Sequence, residues 1–400
     1  MTRNLKNSSS AAGAKSDRSR GRNRQAVLSE IRAAGRIGRA AIARSLGLST
    51  QAVSNIIADL EADGLLVERG MHSAGRGLPA MQYGLNPTGG FALGIEVRPD
   101  ALFLALLDLE GQPVTTRRKA LVDHAPDTVV GEVTSLLKRM LAKSDVVAER
   151  IIGAGVVLPG PFGQTGLSGK GPVLIGWQEI DAADLFASAL DLPVEVSNDA
   201  NAAAMAERFG GAAQTLDHYA YLYFGAGLGL GLVSQGQLIS GAFGNAGEIG
   251  HLPISTPDGM RPLEEVLSRD AVRRRLEEGG AEATPVDLER IANLYAEKDP
   301  RLSEWLTQAT AALSQAVGVI ENLFDPQSII LGGAMPEEVL EHLVHQTQLP
   351  ELTVSHRPDS PSPRLMVGDA GRLTAARRGA AMVLNRAFTP EALPVRHFQS

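Results

Sequence analysis

The sequence predicts an α/β protein in which a winged helix-turn-helix precedes a larger body of alternating strands and helices. Three observations lead to this prediction. Two short amphipathic helical patterns flank a glycine near the N-terminus, a glycine-rich loop between two short strands follows them, and apolar runs of strand length alternate with helical periods from Phe91 onward. A chain of 400 residues with 44% hydrophobic content can bury several cores, so several domains are expected.

The composition excludes several classes of protein. The chain has no cysteine, which rules out disulfides, thiolate metal sites and cysteine nucleophiles. No apolar run approaches the roughly 20 residues that span a bilayer, and the basic N-terminus lacks the apolar segment of a signal peptide. The sequence therefore predicts a soluble cytoplasmic protein with no membrane partner.

Charge is distributed unevenly along the chain. Residues 1–85 contain 13 Lys and Arg against 6 Asp and Glu, a balance of +7, and the remainder of the chain carries −14. A basic head on an acidic body favours a polyanionic partner for the head alone. The alternative is a basic tail without a partner, which charge by itself does not exclude.

The head begins with two segments that differ in composition and in hydrophobic periodicity. Residues 1–22 are rich in Ser, Ala, Arg and Lys without an apolar period, which predicts a disordered basic arm before a domain at 23–88. From Asn23 an apolar helical stripe runs to a break at Gly35. A short helix at about 39–45 follows it.

A second helix follows a tight turn at Gly47, which can take the left-handed conformation that such a turn needs. Asp63 and Gly64 end this helix. Its inward positions are apolar: Val53, Ile56, Ile57 and Leu60. Short polar side chains near its start, among them the capping candidates, can reach base edges and phosphates in a major groove; they are Ser49, Thr50, Gln51, Ser54 and Asn55.

The segment after the second helix predicts a wing, made of two short strands joined by a glycine-rich loop. Arg69 and Arg76 on the wing are expected to contact phosphates or the minor groove. A helical hairpin used only for packing or dimerisation is the alternative. The caps, the polar outer face, the wing and the positive charge together favour double-stranded DNA as the partner.

For two features of the body, the residues alone allow more than one role. Glycine alternates in FGAGLGLGLV, at positions 225, 227, 229 and 231, which suits either a close-packed strand crossing or a phosphate cradle. Asn198 and Asp199 stand where a strand meets a helix at 200–208. They can cap that helix or present polar groups to a ligand.

Five segments of the body follow one another in a specific order: LPGPF, GW, NDANAAAMAE, FGAGLGLGLVSQGQLISGAFGNAGEIGH and FDPQSIILGGAM. Together they resemble the ROK family (repressors, uncharacterised reading frames and sugar kinases) within the actin/hexokinase-like superfamily. The resemblance covers nearly the whole chain from about Asn23. The winged helix in front of the body indicates the repressor branch.

This resemblance implies a ribonuclease-H-like body of two lobes, with a sugar in the cleft between them. The first lobe would comprise residues 89–200 and a C-terminal helix at about 372–388 that packs back on it. The second lobe would comprise residues 201–371, and residues 389–400 would form a tail.

By the same resemblance, five polar side chains hydrogen-bond the hydroxyls of the sugar: Asn198, Asp199, Glu248, His251 and Glu264. Carboxylates accept from hydroxyls and an amide both donates and accepts, so the chemistry suits a polyol. Each residue has a structural alternative, such as capping by Asn198 or a core role for His251. The spacing of Glu248 and His251 among glycines favours the polyol site.

One departure from the family pattern concerns catalysis. ROK kinases place an Asp-x-Gly-Gly-Thr turn against the nucleotide phosphates, and the corresponding residues 94–100 read GIEVRPD, with Glu96 for the Asp and Arg98 and Pro99 for the glycines. Proline has no N–H, and neither replacement allows close approach of the backbone. The phosphate turn is therefore interpreted as degraded, and Asp199 as the counterpart of a catalytic base that no longer catalyses.

A second departure concerns metal. Zinc-bearing members of the family have three cysteines in the loop after the histidine, whereas HLPISTPDGMRPLEE has none. Tetrahedral zinc needs several nitrogen or sulfur ligands. No metal and no other cofactor is expected.

These observations predict a sugar-responsive transcriptional regulator, a repressor of carbohydrate-use genes. It would bind operator DNA as a homodimer or homotetramer and bind a monosaccharide or derivative without phosphorylating it. One alternative is an active ATP-dependent sugar kinase with a regulatory DNA-binding head. The other is a scaffold whose head binds protein.

Overall fold

The computed structural model describes residues 7–72, 79–98, 101–162, 174, 176–177, 179–277, 287–368 and 375–389. Within these ranges no helix is long and apolar enough to cross a membrane. Arg76 and Pro99, both singled out above, lie outside the described residues. So do residues 372–374 of the expected C-terminal helix and residues 390–400 of the expected tail.

The head combines three helices with a three-stranded sheet. In chain order its described elements are α1 (Asn7–Ala34), β1 (Ile37–Gly38), α2 (Arg39–Leu46), α3 (Thr50–Ala62), β2 (Leu66–His72) and β3 (Ala80–Leu85). Gly47 joins α2 to α3 with a φ of 62°, a left-handed conformation that glycine adopts without steric cost. The antiparallel hairpin of β2 and β3 forms the wing, with β1 on the outer side of β3.

Helix α1 is longer than the sequence predicted. The disordered arm expected at 1–22 is helical from Asn7 and continuous with the helix expected from Asn23. Alanine, arginine and lysine extend an existing helix at low cost. Arg20 also pairs with Asp59 of α3 at 2.8 Å, a contact across the fold that local composition does not reveal.

The first lobe is a five-stranded sheet with helices on its faces. Its elements are β4 (Phe91–Val97), β5 (Ala101–Asp108), β6 (Pro113–Ala120), α4 (Pro126–Leu141), β7 (Ile151–Val157), α5 (Ala182–Leu190) and β8 (Val194–Ser197). The strand order is β6-β5-β4-β7-β8. Strands β4, β5 and β6 form an antiparallel meander, and β7 and β8 continue the sheet in parallel with β4.

The second lobe repeats this arrangement. Its elements are α6 (Asp199–Gly210), β9 (Tyr219–Phe224), β10 (Leu228–Ser234), β11 (Gln237–Leu238), β12 (Pro253–Thr256), β13 (Gly259–Pro262), α7 (Arg269–Glu277), α8 (Leu288–Ala296), α9 (Pro300–Phe324), β14 (Ser328–Gly333), α10 (Glu337–Gln346) and β15 (Leu365–Val367). The last helix, α11 (Ala375–Phe388), returns to the first lobe. The main sheet of the second lobe has the order β11-β10-β9-β14-β15, again an antiparallel meander followed by two parallel strands. Two lobes of one topology agree with the fold class that the sequence predicted.

Two of the alternating glycines serve packing. A Cβ added at Gly229 would lie 2.7 Å from the Cβ of Ala200, and one at Gly231 would lie 2.6 Å from the Cβ of Ala204. Both alanines belong to α6, so strand β10 and this helix approach each other more closely than side chains would allow. At these two positions the alternation serves a helix–strand contact.

Helix α11 packs back on the first lobe through glycine. A Cβ at Gly94 of β4 would overlap the carbonyl oxygen of Ala376, and a Cβ at Gly155 of β7 would overlap that of Gly379. Because both obstacles are backbone atoms, no side-chain rotation relieves the overlap. The close packing of α11 on the sheet therefore depends on these glycines.

Substitution Gly155→Ala should lower the free energy of unfolding by about 1–3 kcal/mol, because the added methyl group forces α11 away from the sheet. Gly131→Ala is the matched control. Gly131 is exposed on α4, and outside its own helix no atom of the described residues lies within 4 Å of its Cβ position, so the substitution should stabilise the helix by about 0.5–1 kcal/mol. Urea unfolding followed by circular dichroism measures both; equal effects would show that α11 is not held by this contact.

Candidate functional site

The start of α3 presents a polar face to solvent. Gln51 and Asn55 are exposed, and Nε2 of Gln51 donates to Oδ1 of Asn55 at 3.0 Å. Thr50 is exposed beside them and Ser54 is partly buried. The hydroxyl of Ser49 caps the helix, accepting from the N–H of Ala52 at 3.1 Å. An amide pair one turn apart matches the side chains that proteins use to read adenine in a major groove.

The wing residue Arg69 joins the head to the body. Its Nη2 donates to the carbonyl of Leu85 at 2.9 Å and pairs with Oε1 of Glu110 at 2.9 Å. A DNA phosphate would therefore have to compete with Glu110 for this guanidinium. Glu110 lies 41 residues further along the chain, so no local pattern could have indicated the pair.

The candidate cleft begins where the parallel strands β7 and β8 end, at one edge of the first sheet. Asn198 follows β8, and its Oδ1 accepts from the N–H of Asn201 at 2.9 Å, which caps α6. Gly160 follows β7, and a Cβ there would lie 3.6 Å from both the Cβ of Asn198 and Oε1 of Glu248. Asn198 therefore caps a helix and also lies beside Glu248 across Gly160.

Three of the five predicted ligand residues form one cluster. Nε2 of His251 lies 3.8 Å from Oε2 of Glu248, and its Nδ1 lies 3.5 Å from Oε1 of Glu264. The side chains of Glu248, His251 and Glu264 are 31%, 37% and 32% exposed, so a solute can reach them. Two carboxylates around an imidazole provide acceptors on either side of a group that donates or accepts, which suits a ring of hydroxyls.

The environment of Glu248 favours its neutral form. Burial raises the pKa of the Glu248 carboxyl; His251 opposes this rise, and the charge of Glu264 adds to it. A ligand hydroxyl that donates to the ionised carboxylate would stabilise the charged form in place of water.

One residue that the sequence analysis did not single out joins the loops of the cleft. Nδ2 of Asn245 donates to the carbonyl of Phe162 at 2.9 Å, and its Oδ1 accepts from the N–H of Phe162 at 2.7 Å. These two hydrogen bonds connect the loop after β7 to the segment that contains Glu248. The only signal in the sequence is an asparagine beside glycine, which equally indicates an ordinary turn.

Asp199, the first residue of α6, lies among cations. Burial raises the pKa of Asp199, and Arg378 and Arg98 act in the opposite direction. The guanidinium of Arg378, a buried residue, stacks 5.1 Å from the ring centroid of Tyr223. Arg98 pairs with the buried carboxylate of Glu96. The charges of two arginines thus act on the carboxylate that resembles a catalytic base.

Comparisons with known proteins agree with this architecture. A family profile described as ROK family matches residues 92–384, and one described as winged helix-turn-helix DNA-binding matches residues 21–67. The chain belongs to the ROK family.

Repressors and kinases both occur among the ROK relatives. The xylose repressor of Bacillus subtilis is 26% identical over 326 residues, 79% of this chain and 83% of that protein. The β-glucoside kinase of Listeria monocytogenes is 28% identical over 240 residues, 59% of this chain and 79% of that protein. A crystal structure of a ROK family transcriptional regulator, a homologue of the E. coli MLC protein, has a TM-score of 0.70 at 22% identity and covers 93% of this chain and 97% of its own. The last comparison shows a shared fold.

In this ROK chain a protein hairpin orders the loop between His251 and Glu264. Strands β12 and β13 pair from Pro253 and Pro262 to the turn. Gln315 of α9 clamps Ser255, donating to its carbonyl at 3.0 Å and accepting from its N–H at 3.1 Å.

The same loop does not fit the zinc of other members. Both ring nitrogens of His251 face carboxylates, the loop has no cysteine, and tetrahedral zinc needs several nitrogen or sulfur ligands. Across the described part of the chain no group of three or more His, Asp or Glu residues is arranged to hold a metal ion.

Removing the clamp by Gln315→Ala should speed hydrogen exchange at the Ser255 amide, since two hydrogen bonds worth about 0.5–1.5 kcal/mol each are lost. Gln308→Ala, a substitution at an exposed position of the same helix, serves as the control. Hydrogen exchange of the peptide that contains β12 and β13, measured by mass spectrometry, compares the two variants. Unchanged exchange in Gln315→Ala would mean that the hairpin is ordered without α9.

Proposed function

We propose that this chain is a sugar-responsive repressor, whose head binds operator DNA and whose cleft binds a sugar without phosphorylating it. Helix α11 is the observation that carries the proposal. Its Arg378 is near enough for its charge to act on Asp199, and its Leu384 and Phe388 lie in the hydrophobic core of the head. A ligand in the cleft therefore lies at one end of an element that supports the DNA-binding helices at its other end.

The extent of the relatives' similarity supports a regulator. The xylose repressor matches 79% of this chain, whereas the β-glucoside kinase matches 59%. The polar face at Gln51 and Asn55 and the basic balance of the head favour duplex DNA over a protein partner. The regulator would act as a homodimer or homotetramer, because two winged helices related by a twofold axis read a palindromic operator.

The nucleotide side of the cleft supports binding without phosphoryl transfer. Transfer depends on backbone N–H groups and a metal ion that position the phosphates. Here the N–H of Arg98 donates to the carbonyl of Ala101 at 2.9 Å, within the strand connection. The side chain of Arg98 pairs with Glu96, and its charge acts on Asp199 together with that of Arg378. Two cations at this position disfavour a divalent metal ion.

Substitutions Gln51→Ala and Asn55→Ala should each weaken binding to the preferred operator by about 1–3 kcal/mol, because a base-edge contact is lost, while leaving binding to unrelated duplex DNA unchanged. The operator is selected from random duplexes with the full-length protein, and affinity is measured by fluorescence anisotropy. Gln112→Ala, exposed on the body, is the control. Equal weakening on selected and unrelated DNA would contradict base readout by α3.

Sugar affinity should fall on acidification, starting at a higher pH than for an ordinary glutamate. The hydroxyls donate to ionised Glu248, whose raised pKa means that affinity is complete above that pKa and is lost as the pH falls through it. In the ligand-free protein the sign is reversed, because a raised carboxyl pKa lowers stability as the pH rises.

Calorimetric titration with the tightest sugar of a monosaccharide screen, from neutral to acidic pH, measures this dependence. Glu248→Gln should bind weakly and without the slope. Glu265→Gln, which removes a carboxylate paired with Arg261 at 3.2 Å, should keep it. A slope that persists in Glu248→Gln would assign the titration to another group.

The proposal and the kinase alternative differ in turnover. Purified protein with ATP, magnesium and the same sugar should produce no ADP above the rate of Asp199→Asn. Sugar-dependent ADP production that Asp199→Asn abolishes would establish the kinase instead.

A further inference from the structure

The side chain of the wing residue Arg69 is directed toward the body. The pairing of β2 with β3 shifts register at this point of β2, and such a bulge changes the direction in which a side chain points. The side chain then crosses β3 at Gly84, where an added Cβ would lie 2.7 Å from Nε of Arg69. Its Nη2 donates to the carbonyl of Leu85 and to Oε1 of Glu110, each at 2.9 Å. The absence of a side chain at Gly84 therefore leaves the guanidinium a path to the body.

The acceptor Glu110 lies in a hydrogen-bonded turn between β5 and β6. Oδ1 of Asp108 accepts from the backbone N–H groups of Glu110 and Gln112 at 3.0 and 2.8 Å. Leu109, the neighbour of Glu110, is buried in the same hydrophobic core as the base of the wing hairpin. The backbone of Glu110 is thus anchored on both sides. Separation of the ion pair therefore requires the arginine side chain to move away.

The last turn of α6 supports the same turn between β5 and β6. A Cβ added at Gly111 would lie 2.3 Å from Cε1 of Phe209, so the aromatic ring packs directly on the turn. The carbonyl of Phe209 accepts from Arg32 of α1 at 2.5 Å, and the guanidinium lies 4.9 Å from the ring centroid. Since α6 begins beside Asn198, the turn that carries Glu110 lies at the end of a helix that starts in the candidate cleft.

We propose that Glu110 is an autoinhibitory residue, which holds Arg69 on the body and withholds its charge from DNA phosphates. An arginine that contacts a phosphate releases counterions and adds to the affinity for any duplex, and a guanidinium already paired with a carboxylate does not. The side chains of Arg69 and Glu110 are 39% and 41% exposed, so the pair is weak enough to be broken. It lowers the affinity for DNA without abolishing it. The proposal rests on DNA binding by the head and adds a control on its strength.

The test compares full-length wild-type protein with Glu110→Gln, which keeps the size of the side chain and removes its charge. Affinity for a duplex of random sequence is measured by fluorescence anisotropy over a range of salt concentrations. Glu110→Gln should bind about twofold to fivefold more tightly, the range expected when a half-exposed ion pair no longer competes. The slope of log affinity against log salt concentration should steepen by about 0.9, the value for one additional phosphate contact.

Two controls assign the gain to Arg69. When Glu110→Gln is combined with Arg69→Met, the affinity and the salt slope should equal those of Arg69→Met alone, because the released cation is missing. Glu149→Gln removes an exposed carboxylate of the body close to the head, since the neighbouring Arg150 donates to the carbonyl of Thr88 at 3.0 Å. It measures the general effect of one lost negative charge, and its salt slope should equal that of the wild type. Circular dichroism melting curves verify that each variant is folded.

The outcomes separate this proposal from DNA binding itself. If Glu110→Gln gains no more affinity than Glu149→Gln, keeps the wild-type salt slope, or keeps its gain when Arg69→Met is added, the autoinhibition is wrong and DNA binding by the head stands. A loss of affinity in Glu110→Gln would show that Glu110 positions Arg69 for DNA, which also overturns the proposal. If neither the wild type nor Glu110→Gln binds any duplex at low salt, the DNA-binding function is wrong, and the autoinhibition with it.

Discussion

The close contact between α11 and the first sheet is the constraint on which the rest of the molecule depends. Because Gly94 and Gly155 lack side chains, the backbone of α11 lies directly on β4 and β7. This position brings the charge of Arg378 within reach of Asp199 and the end of the helix into the core of the head. There the guanidinium of Arg32 on α1 lies 5.7 Å from the ring centroid of Phe388 and donates to the carbonyl of Phe209 at 2.5 Å. A larger residue at either glycine would change both ends together.

The cleft contains carboxylates to which the hydroxyl groups of a polyol could donate hydrogen bonds. Burial raises the pKa of both Asp199 and Glu248, so ionisation of either carboxylate costs free energy in the empty protein. Arg98 and Arg378 offset part of this cost at Asp199, in a position that a kinase needs for phosphate and metal. At Glu248 only His251 opposes the rise, and we propose that sugar hydroxyls donate to this carboxylate. These charges support the proposal of a site that binds a sugar without phosphorylating it.

Periodicity and caps predicted the helix-turn-helix and its wing, because these features are encoded locally, whereas the two lobes were implied by the resemblance that the ordered motifs carry. Contacts between distant segments could not be predicted. Arg69 meets Glu110, Gln315 clamps Ser255, and Asn245 holds Phe162, and none of these pairs leaves a pattern in one segment. Composition also misled at residues 7–22, where a polar, alanine-containing stretch is helical and continuous with the apolar stripe that follows it. The five candidate sugar ligands came from resemblance, and their role stays a proposal.

The central claim is that the cleft and the head are coupled through α11. Coupling between two binding sites is reciprocal, so the factor by which a sugar changes operator affinity must equal the factor by which the operator changes sugar affinity. The decisive measurement is the affinity of the tightest sugar for full-length protein, with and without saturating operator duplex. We expect a difference of at least about fivefold, typical of allosteric coupling, that Arg378→Met reduces. Identical sugar affinities in the presence and absence of operator would contradict the account.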